Sequence, residues 1–165
     1  MKKIFYILFL LVTVISCTHS SESFEFKIKG KLTGKNYEKL YFLKSLRNGD
    51  EVIIPVEDGI FEYSGHSSQM YFSLIGFDDS GDYFPFVIEP GEIDIELYAD
   101  SILRKSRIIR GKNSIALEKA IKQYIEYMDS GLEDKVLRDS IVQLINRNKD
   151  NYTGIILLNM MGREY

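Results

Sequence analysis

The period of the apolar residues changes once along this chain, and the change limits the folds that are open to it. From Phe24 to about Gly111, apolar and polar residues alternate in short runs that Gly, Pro and Asp interrupt. This alternation is typical of strands with one buried face, and Asp58-Gly59 is the best hairpin signal. Eight strands are predicted, at residues 24–32, 40–43, 52–56, 60–64, 71–75, 84–88, 93–97 and 107–110. The pattern favours a mostly β fold, a β-sandwich or open barrel of about eight short antiparallel strands.

After Gly111 the apolar residues recur at the spacing of an α-helix. Asn113 or Ser114 is expected to cap a helix that ends at Asp129-Ser130-Gly131. A second helix is predicted over residues 133–148, and its expected buried positions are Val136, Leu137, Ile141, Leu144 and Ile145. A strongly apolar segment follows at Ile155–Met161. The chain should therefore end in a helical hairpin and a short third helix.

The first 17 residues have the pattern of a bacterial lipoprotein precursor. Lys2 and Lys3 precede an apolar run of twelve residues, which is too short for a membrane-spanning helix of about 20 residues. The run ends in Val14-Ile15-Ser16-Cys17, where such precursors are lipidated and cut. We predict a signal peptide at 1–16, lipidation of Cys17 and a polar tether to residue 23. A buried helix and an ordinary cleaved signal are the alternatives.

Composition and charge limit the function classes. Cleavage before Cys17 leaves 149 residues, enough for one ordinary domain. Without Lys2 and Lys3, 19 basic side chains face 24 acidic ones, a net charge of −5 that discourages nucleic-acid binding. The only cysteine is the expected lipidation site, so these residues hold no disulfide and no thiol redox pair.

Several blocks, in a fixed order, resemble a known family. Phe26-Lys27-Ile28-Lys29-Gly30-Lys31-Leu32 comes first, then Tyr41-Phe42-Leu43, and an Asp58-Gly59-Ile60-Phe61 hairpin follows. Phe86-Val87-Ile88-Glu89-Pro90-Gly91-Glu92-Ile93 and Arg110-Gly111-Lys112-Asn113 complete the series. Together they resemble the all-β domain of unknown function 4369, which is common in envelope lipoproteins of Bacteroides-type bacteria. We expect this β-domain at residues 24–112.

The resemblance also implies a partner. In that family the β-domain usually precedes a helical linker and a thioredoxin-like domain with a Cys-x-x-Cys pair. Residues 113–165 resemble the linker, but the chain stops at Tyr165 and has no such pair, so no catalytic residue is carried over. A natural short member, the product of a disrupted gene and a fragment all remain open.

One acidic cluster and one histidine are candidates for metal or catalytic sites. Asp78, Asp79 and Asp82 share a loop but lack the spacing of a calcium loop, so a solvated turn is favoured. His66 is expected to be an exposed residue of a Gly-His-Ser-Ser turn, because no second histidine accompanies it. No metal, cofactor or catalytic residue is predicted.

Two further groups are candidates for binding. Arg104, Lys105, Arg107 and Arg110, with Lys112 beyond them, form a basic run that would suit an anionic headgroup or an acidic partner. The favoured alternative is a charged strand edge that limits aggregation. Tyr83, Phe84 and Phe86 would stack on a sugar or peptide if exposed. Alternation favours burial, and Tyr83 is the residue that burial explains least.

These observations lead to one functional expectation and one alternative. We expect a lipid-anchored envelope domain that is not an enzyme and acts as an accessory or protein-interaction module, with a thioredoxin-like protein as a candidate partner. Because Thr18 and not Asp follows Cys17, the outer membrane is favoured, and the absence of an acidic cluster favours its periplasmic face. The alternative is a lipoprotein that captures glycan or peptide through the loop at Tyr83, Phe84 and Phe86.

Overall fold

The computed structural model describes residues 23–45, 50–77 and 81–161, and it contains all eight predicted strands. They are β1 (Phe24–Thr33), β2 (Lys39–Ser45), β3 (Asp50–Glu57), β4 (Ile60–Ser67), β5 (Tyr71–Gly76), β6 (Tyr83–Ile88), β7 (Gly91–Tyr98) and β8 (Arg107–Arg110). The helices are α1 (Ile102–Lys105), α2 (Lys112–Asp129), α3 (Asp134–Arg147) and α4 (Tyr152–Met161). The predicted mostly β fold with a helical C-terminal part is confirmed, and only the one-turn α1 was not predicted.

The strands form one curled sheet, so of the two predicted architectures the open barrel is correct. The strand order is β6-β5-β2-β3-β4-β1-β7-β8. Six of the seven neighbouring pairs are antiparallel, but β1 and β7 are parallel, which corrects the all-antiparallel prediction. The chain builds one wing of the sheet with β2 to β6 and then returns to the free side of β1. After this return, β7 runs parallel to β1. The alternation of apolar and polar residues within a strand does not indicate whether its neighbour is parallel or antiparallel.

The concave side of the half-barrel holds the main core. Phe42 lies at its centre, with ring centroids 5.3 Å from Tyr63 and 5.9 Å from Phe86. Gly30 makes the packing possible at β1, because a Cβ there would lie 2.1 Å from Cζ of Phe61. The fully buried core residues of the sheet include Ile28, Leu40, Ile54, Ile75, Ile88, Ile93 and Leu97.

The helices cover the outside of one wing. Val87 of β6 packs against Leu117 and Ile121 of α2 and Ile156 of α4. Strand β6 is therefore buried on both faces, which explains its unbroken apolar sequence. Helix α2 contacts β8 as well as β6, so one helix bridges the two edge strands of the sheet.

Helix α3 departs from its predicted burial at one position. Ile141 and Leu144 are buried as predicted, and Leu137 and Ile145 pack partly against them. Val136, however, is 45 % exposed, because α3 turns only a narrow stripe toward α2 and α4.

Strand registers define two ends of the half-barrel. Phe24 opposes Ser67 and Tyr71 opposes Ile88, so the starts of β1 and β5 and the ends of β4 and β6 lie together. We call this the entry end. The opposite end carries the Asp58-Gly59 turn and the connection after Thr33. Across the described ranges, no helix is both long and apolar enough to cross a membrane.

Candidate interaction site

A buried carboxylate joins the end of β6 to the start of α2. Glu89, 5 % exposed, accepts the backbone N–H of Asn113 at 3.0 Å on each oxygen and that of Ser114 at 3.1 Å. The side-chain amide of Asn113 donates to the same carboxylate at 2.8 Å. Negative charge at a helix N-terminus is favourable, because the first N–H groups of the helix have no partner within it.

This contact corrects the predicted capping of α2. The sequence predicts that the side chain of Asn113 or Ser114 caps the helix, but the helix begins at Lys112 and its N-cap position is Gly111. Gly111 has φ +119°, and a Cβ there would lie 2.9 Å from Oε1 of Glu89. A glycine is therefore required where the chain turns under the carboxylate.

Side chains of α2 also form hydrogen bonds with one residue on each edge of the sheet. The hydroxyl of Ser114 donates to the carbonyl of Val87 at 2.9 Å and accepts the N–H of Val87 at 3.1 Å. At the other edge, the N–H of Ile108 donates to Oε2 of Glu118 at 2.6 Å. Pro85 lies two residues before Val87 on the same edge and has no N–H to satisfy.

We call Glu89, Ser114 and Glu118 the helix clasp. The clasp brings together two sequence blocks that lie over 20 residues apart, the one around Glu89-Pro90-Gly91 and the one around Gly111-Lys112-Asn113. Glu89 and Ser114 connect α2 to the β6 side of the sheet and Glu118 connects it to β8, so the clasp closes the half-barrel. Across the described part of the chain, no three His, Cys, Asp or Glu side chains lie together in a way that could hold a metal.

Each residue of the predicted basic patch forms an ion pair in the structure. Arg104 donates to Asp129, with Nη2 3.1 Å from Oδ1, and Lys105 pairs with Asp100. Nε of Arg107 lies 2.7 Å from Oε2 of Glu96. The hydrogen bond from Arg104 holds the pKa of Asp129 below its ordinary value.

The last member of the patch is part of a ladder of charges on the outer face of β4, β1, β7 and β8. Arg110 pairs with Glu92 and with Asp94, the latter at 3.2 Å. Nζ of Lys29 donates to Oε1 of Glu92 at 2.5 Å. This hydrogen bond lowers the pKa of Glu92 and raises that of Lys29. Acidic and basic groups alternate across this face, so the patch offers little unpaired positive charge to an anionic partner.

The predicted ligand loop is mostly core. Phe84 is 2 % exposed and Phe86 is fully buried, whereas Tyr83 is half-buried at the start of β6. The ligand-loop hypothesis stays a prediction that depends on Tyr83 alone. Asp82 is exposed, and Cys17, Asp78 and Asp79 lie outside the described residues.

His66 lies on a strand and not in the predicted turn, because β4 continues to Ser67. Its Nε2 is 3.1 Å from Oε1 of Glu25 on β1. The pair borders a shallow cavity of about 380 Å³ whose rim includes Lys27, Ser64 and Glu92. Alternation from Ile60 onward places Tyr63 inward and His66 outward, and it is the signal for a longer strand, which Gly65 masks because glycine is typical of turns.

Helix α4 leaves apolar side chains in solvent. Ile156 and Leu157 are buried against α2 and α3, and the Tyr152 hydroxyl donates to the carbonyl of Met70 at 3.0 Å. On the other side of the helix, Ile155 is 56 % exposed and Leu158 is 58 % exposed. We call these two residues the free face of α4.

One family model matches the chain. The match is to the model described as domain of unknown function (DUF4369), and it covers residues 26–131. It extends beyond the predicted boundary at residue 112 and includes the whole of α2, in keeping with the helix clasp. No curated protein and no solved structure matches. Since the match covers more than half of the chain, the chain belongs to the family of domain of unknown function 4369.

Proposed function

We propose that the chain is a membrane-anchored envelope lipoprotein domain that acts as a non-catalytic accessory module and binds another envelope protein. The observation that carries this proposal is the free face of α4. Ile155 and Leu158 are three residues apart, so they project from the same side of the helix. Each exposes more than half of its surface.

Burial of these two side chains by a partner would contribute to the free energy of binding. Full burial of a leucine or isoleucine contributes about 1.5–3 kcal/mol relative to leaving it in water. Contiguous apolar surface that is larger than a monomer usually exposes is typical of sites that bind another protein. The fully buried Leu157 next to them shows that α4 is already held in place by its other side.

The family resemblance indicates what kind of partner to seek. Related β-domains usually precede a thioredoxin-like domain, while this sequence has a single cysteine, Cys17, and no Cys-x-x-Cys. A thioredoxin-like envelope protein is therefore our first candidate partner. Residues 113–165 would then act as the surface that receives it.

The anchor is the second part of the proposal. Acyl chains on Cys17 would hold the domain at the envelope, at the outer membrane on its periplasmic side. Two or more chains give durable attachment, because each buried methylene contributes about 0.8 kcal/mol. We expect Cys17→Ala to abolish acyl labelling and to release the protein from membranes. A Cys17→Ala protein that is still labelled and still sediments with membranes would contradict the anchor.

Photo-crosslinking tests the interaction directly. A photoreactive amino acid at position 158 should give a discrete adduct in membranes of the native host, and mass spectrometry identifies its partner. The matched control is position 143, an exposed glutamine on α3. We expect the adduct at 158 to disappear in an Ile155→Ser background that keeps the wild-type melting temperature. Equal adducts at 143 and 158, or none at 158, would contradict the proposal.

A further inference from the structure

The entry end of the half-barrel contains the start of β1 and several connections between elements. β1 begins there at Phe24, and Ser67 of β4 lies opposite it. The link between β6 and β7 at Glu89-Pro90, the start of α2 at Lys112 and the contact of Tyr152 with Met70 lie at the same end. The opposite end carries the Asp58-Gly59 turn and the connection after Thr33.

The distance from Cys17 to this end has an upper limit. Seven Cα–Cα steps separate Cys17 from Phe24 in the sequence, and a fully extended chain spans about 25 Å over seven steps. Strand β1 has ten residues, which corresponds to a length of about 33 Å. The segment between Cys17 and Phe24 is therefore too short to pass along the full length of the sheet.

From these lengths, and resting on the proposed lipidation of Cys17, we infer that the entry end faces the lipid headgroups and that the opposite end points away from the membrane. An inverted domain would need a connection longer than the sheet itself. The occupant of the entry-end surface is thus the headgroup layer of the membrane that holds the anchor.

Electrostatics does not provide this orientation. Among the described residues next to the strand ends, the exposed Lys44, Arg110 and Lys112 are accompanied by the exposed Glu25, Asp50 and Glu51. These basic and acidic groups balance, so we expect the orientation to be the same on neutral and on anionic vesicles. The short connection to the anchor sets it.

The orientation also determines where the free face of α4 lies relative to the membrane. The helix begins at the entry end, where Tyr152 contacts Met70, and one turn later Ile156 packs beside Leu117 and Ile121 of α2. Helix α2 itself leads from Glu89 toward the opposite end, where Asp129 pairs with Arg104. A partner bound to α4 would accordingly lie beside the half-barrel and extend away from the membrane.

Fluorescence quenching by nitroxide headgroup lipids tests this inference. The chain from Cys17 to Tyr165 carries a fluorescent amino acid at position 68, at the entry end, or at position 36, at the opposite end. Both positions are exposed and lie outside strands and helices. Coupling of Cys17 to a maleimide lipid in phosphatidylcholine vesicles attaches the protein whether or not cells acylate it, so failure of the proposed lipidation is measured separately, by mass spectrometry of the cellular protein.

We expect quenching at position 68 to exceed quenching at position 36 at least threefold. Equal quenching at the two positions, or stronger quenching at 36, would overturn the inference. Insertion of 20 Gly/Ser residues between Ser20 and Ser21 is the control for the cause. This insertion should remove most of the difference, and a difference that stays unchanged would show that the length of the connection does not set the orientation.

Discussion

At the scale of single residues, Glu89 has the largest structural role that the alternation of apolar residues does not reveal. It is a buried carboxylate in a short Glu-Pro-Gly connection, and it accepts bonds from two backbone N–H groups of α2. Hydrogen bonds to charged groups contribute about 1.5–3 kcal/mol each to stability. The sequence pattern locates the connection, but only the packing of α2 identifies its partners.

We expect Glu89→Ala to destabilise the protein by about 2–4 kcal/mol, because it leaves N–H groups at the start of a packed helix without an acceptor. Urea unfolding followed by circular dichroism measures the change. Glu25→Ala is the control, since Glu25 is exposed and its exposed pair with His66 should contribute less than about 1 kcal/mol. Equal losses for the two variants would contradict the role assigned to Glu89.

Tyr71 gives a residue-scale prediction for alkaline pH. Burial, and then the neighbouring Tyr63, raises the pKa of Tyr71 to about 12. The folded protein therefore keeps this proton at a pH where the unfolded chain, with a tyrosine pKa of about 10, has lost it. The contribution of Tyr71 to the free energy of unfolding is fully present below about pH 10 and is lost as the pH rises toward 12.

The matched variant is Tyr71→Phe, which cannot ionise. Between pH 9 and pH 11 the wild type should lose about 1 kcal/mol more unfolding free energy than the variant, a value already reduced for partial exposure. Urea unfolding at the two pH values measures both losses. An identical loss in the two proteins would show that Tyr71 ionises equally in the folded and unfolded states.

At the scale of elements, the strands could be predicted from the sequence and the helix contacts could not. Most strands follow from period-two alternation because they have one face on the core. The exceptions are β6 and the middle of β2, where Leu40, Tyr41 and Phe42 are all buried, and their apolar runs reflect burial on both faces. The start of α2 was misassigned because a side chain 24 residues earlier caps it. Long-range partners of this kind leave no periodic signal.

Substitution of Ser114 tests whether the helix clasp stabilises the contact between α2 and β6. Ser114→Ala removes both hydrogen bonds to Val87 and leaves a buried N–H and a buried C=O unsatisfied, so we expect a loss of about 2–4 kcal/mol. Hydrogen exchange should show the Val87 amide losing protection. Ser130→Ala, at an exposed site after α2, should change neither quantity appreciably. Unchanged protection of Val87 in Ser114→Ala would contradict the clasp.

Helix α4 offers two adjacent leucines with opposite expectations. Leu157 is fully buried, so Leu157→Ala should cost about 2–5 kcal/mol. Leu158 is 58 % exposed, so Leu158→Ala should change the unfolding free energy by less than about 0.5 kcal/mol. Thermal and urea unfolding measure both. Similar losses at the two positions would mean that the free face of α4 is covered within the domain.

At the scale of the whole molecule, one helix closes a half-barrel whose edges would otherwise expose unpaired backbone groups. Open sheet edges invite pairing with other chains, and the contacts of α2 with β6 and β8 remove that opportunity at Val87 and Ile108. The family match ends at residue 131, just beyond α2, as expected if sheet and clasp fold together. Helices α3 and α4 then add an apolar surface that the closed half-barrel does not need.

The native mass of the protein from its own membranes tests the accessory role most directly. After extraction in mild detergent, light scattering on a sizing column should give a complex heavier than one chain and not a whole multiple of it, because the partner is a different protein. Leu158→Ser should shift the mass to that of the single chain without lowering the melting temperature. A single-chain mass, or a multiple of it, for the wild type would contradict a different envelope protein on the free face of α4.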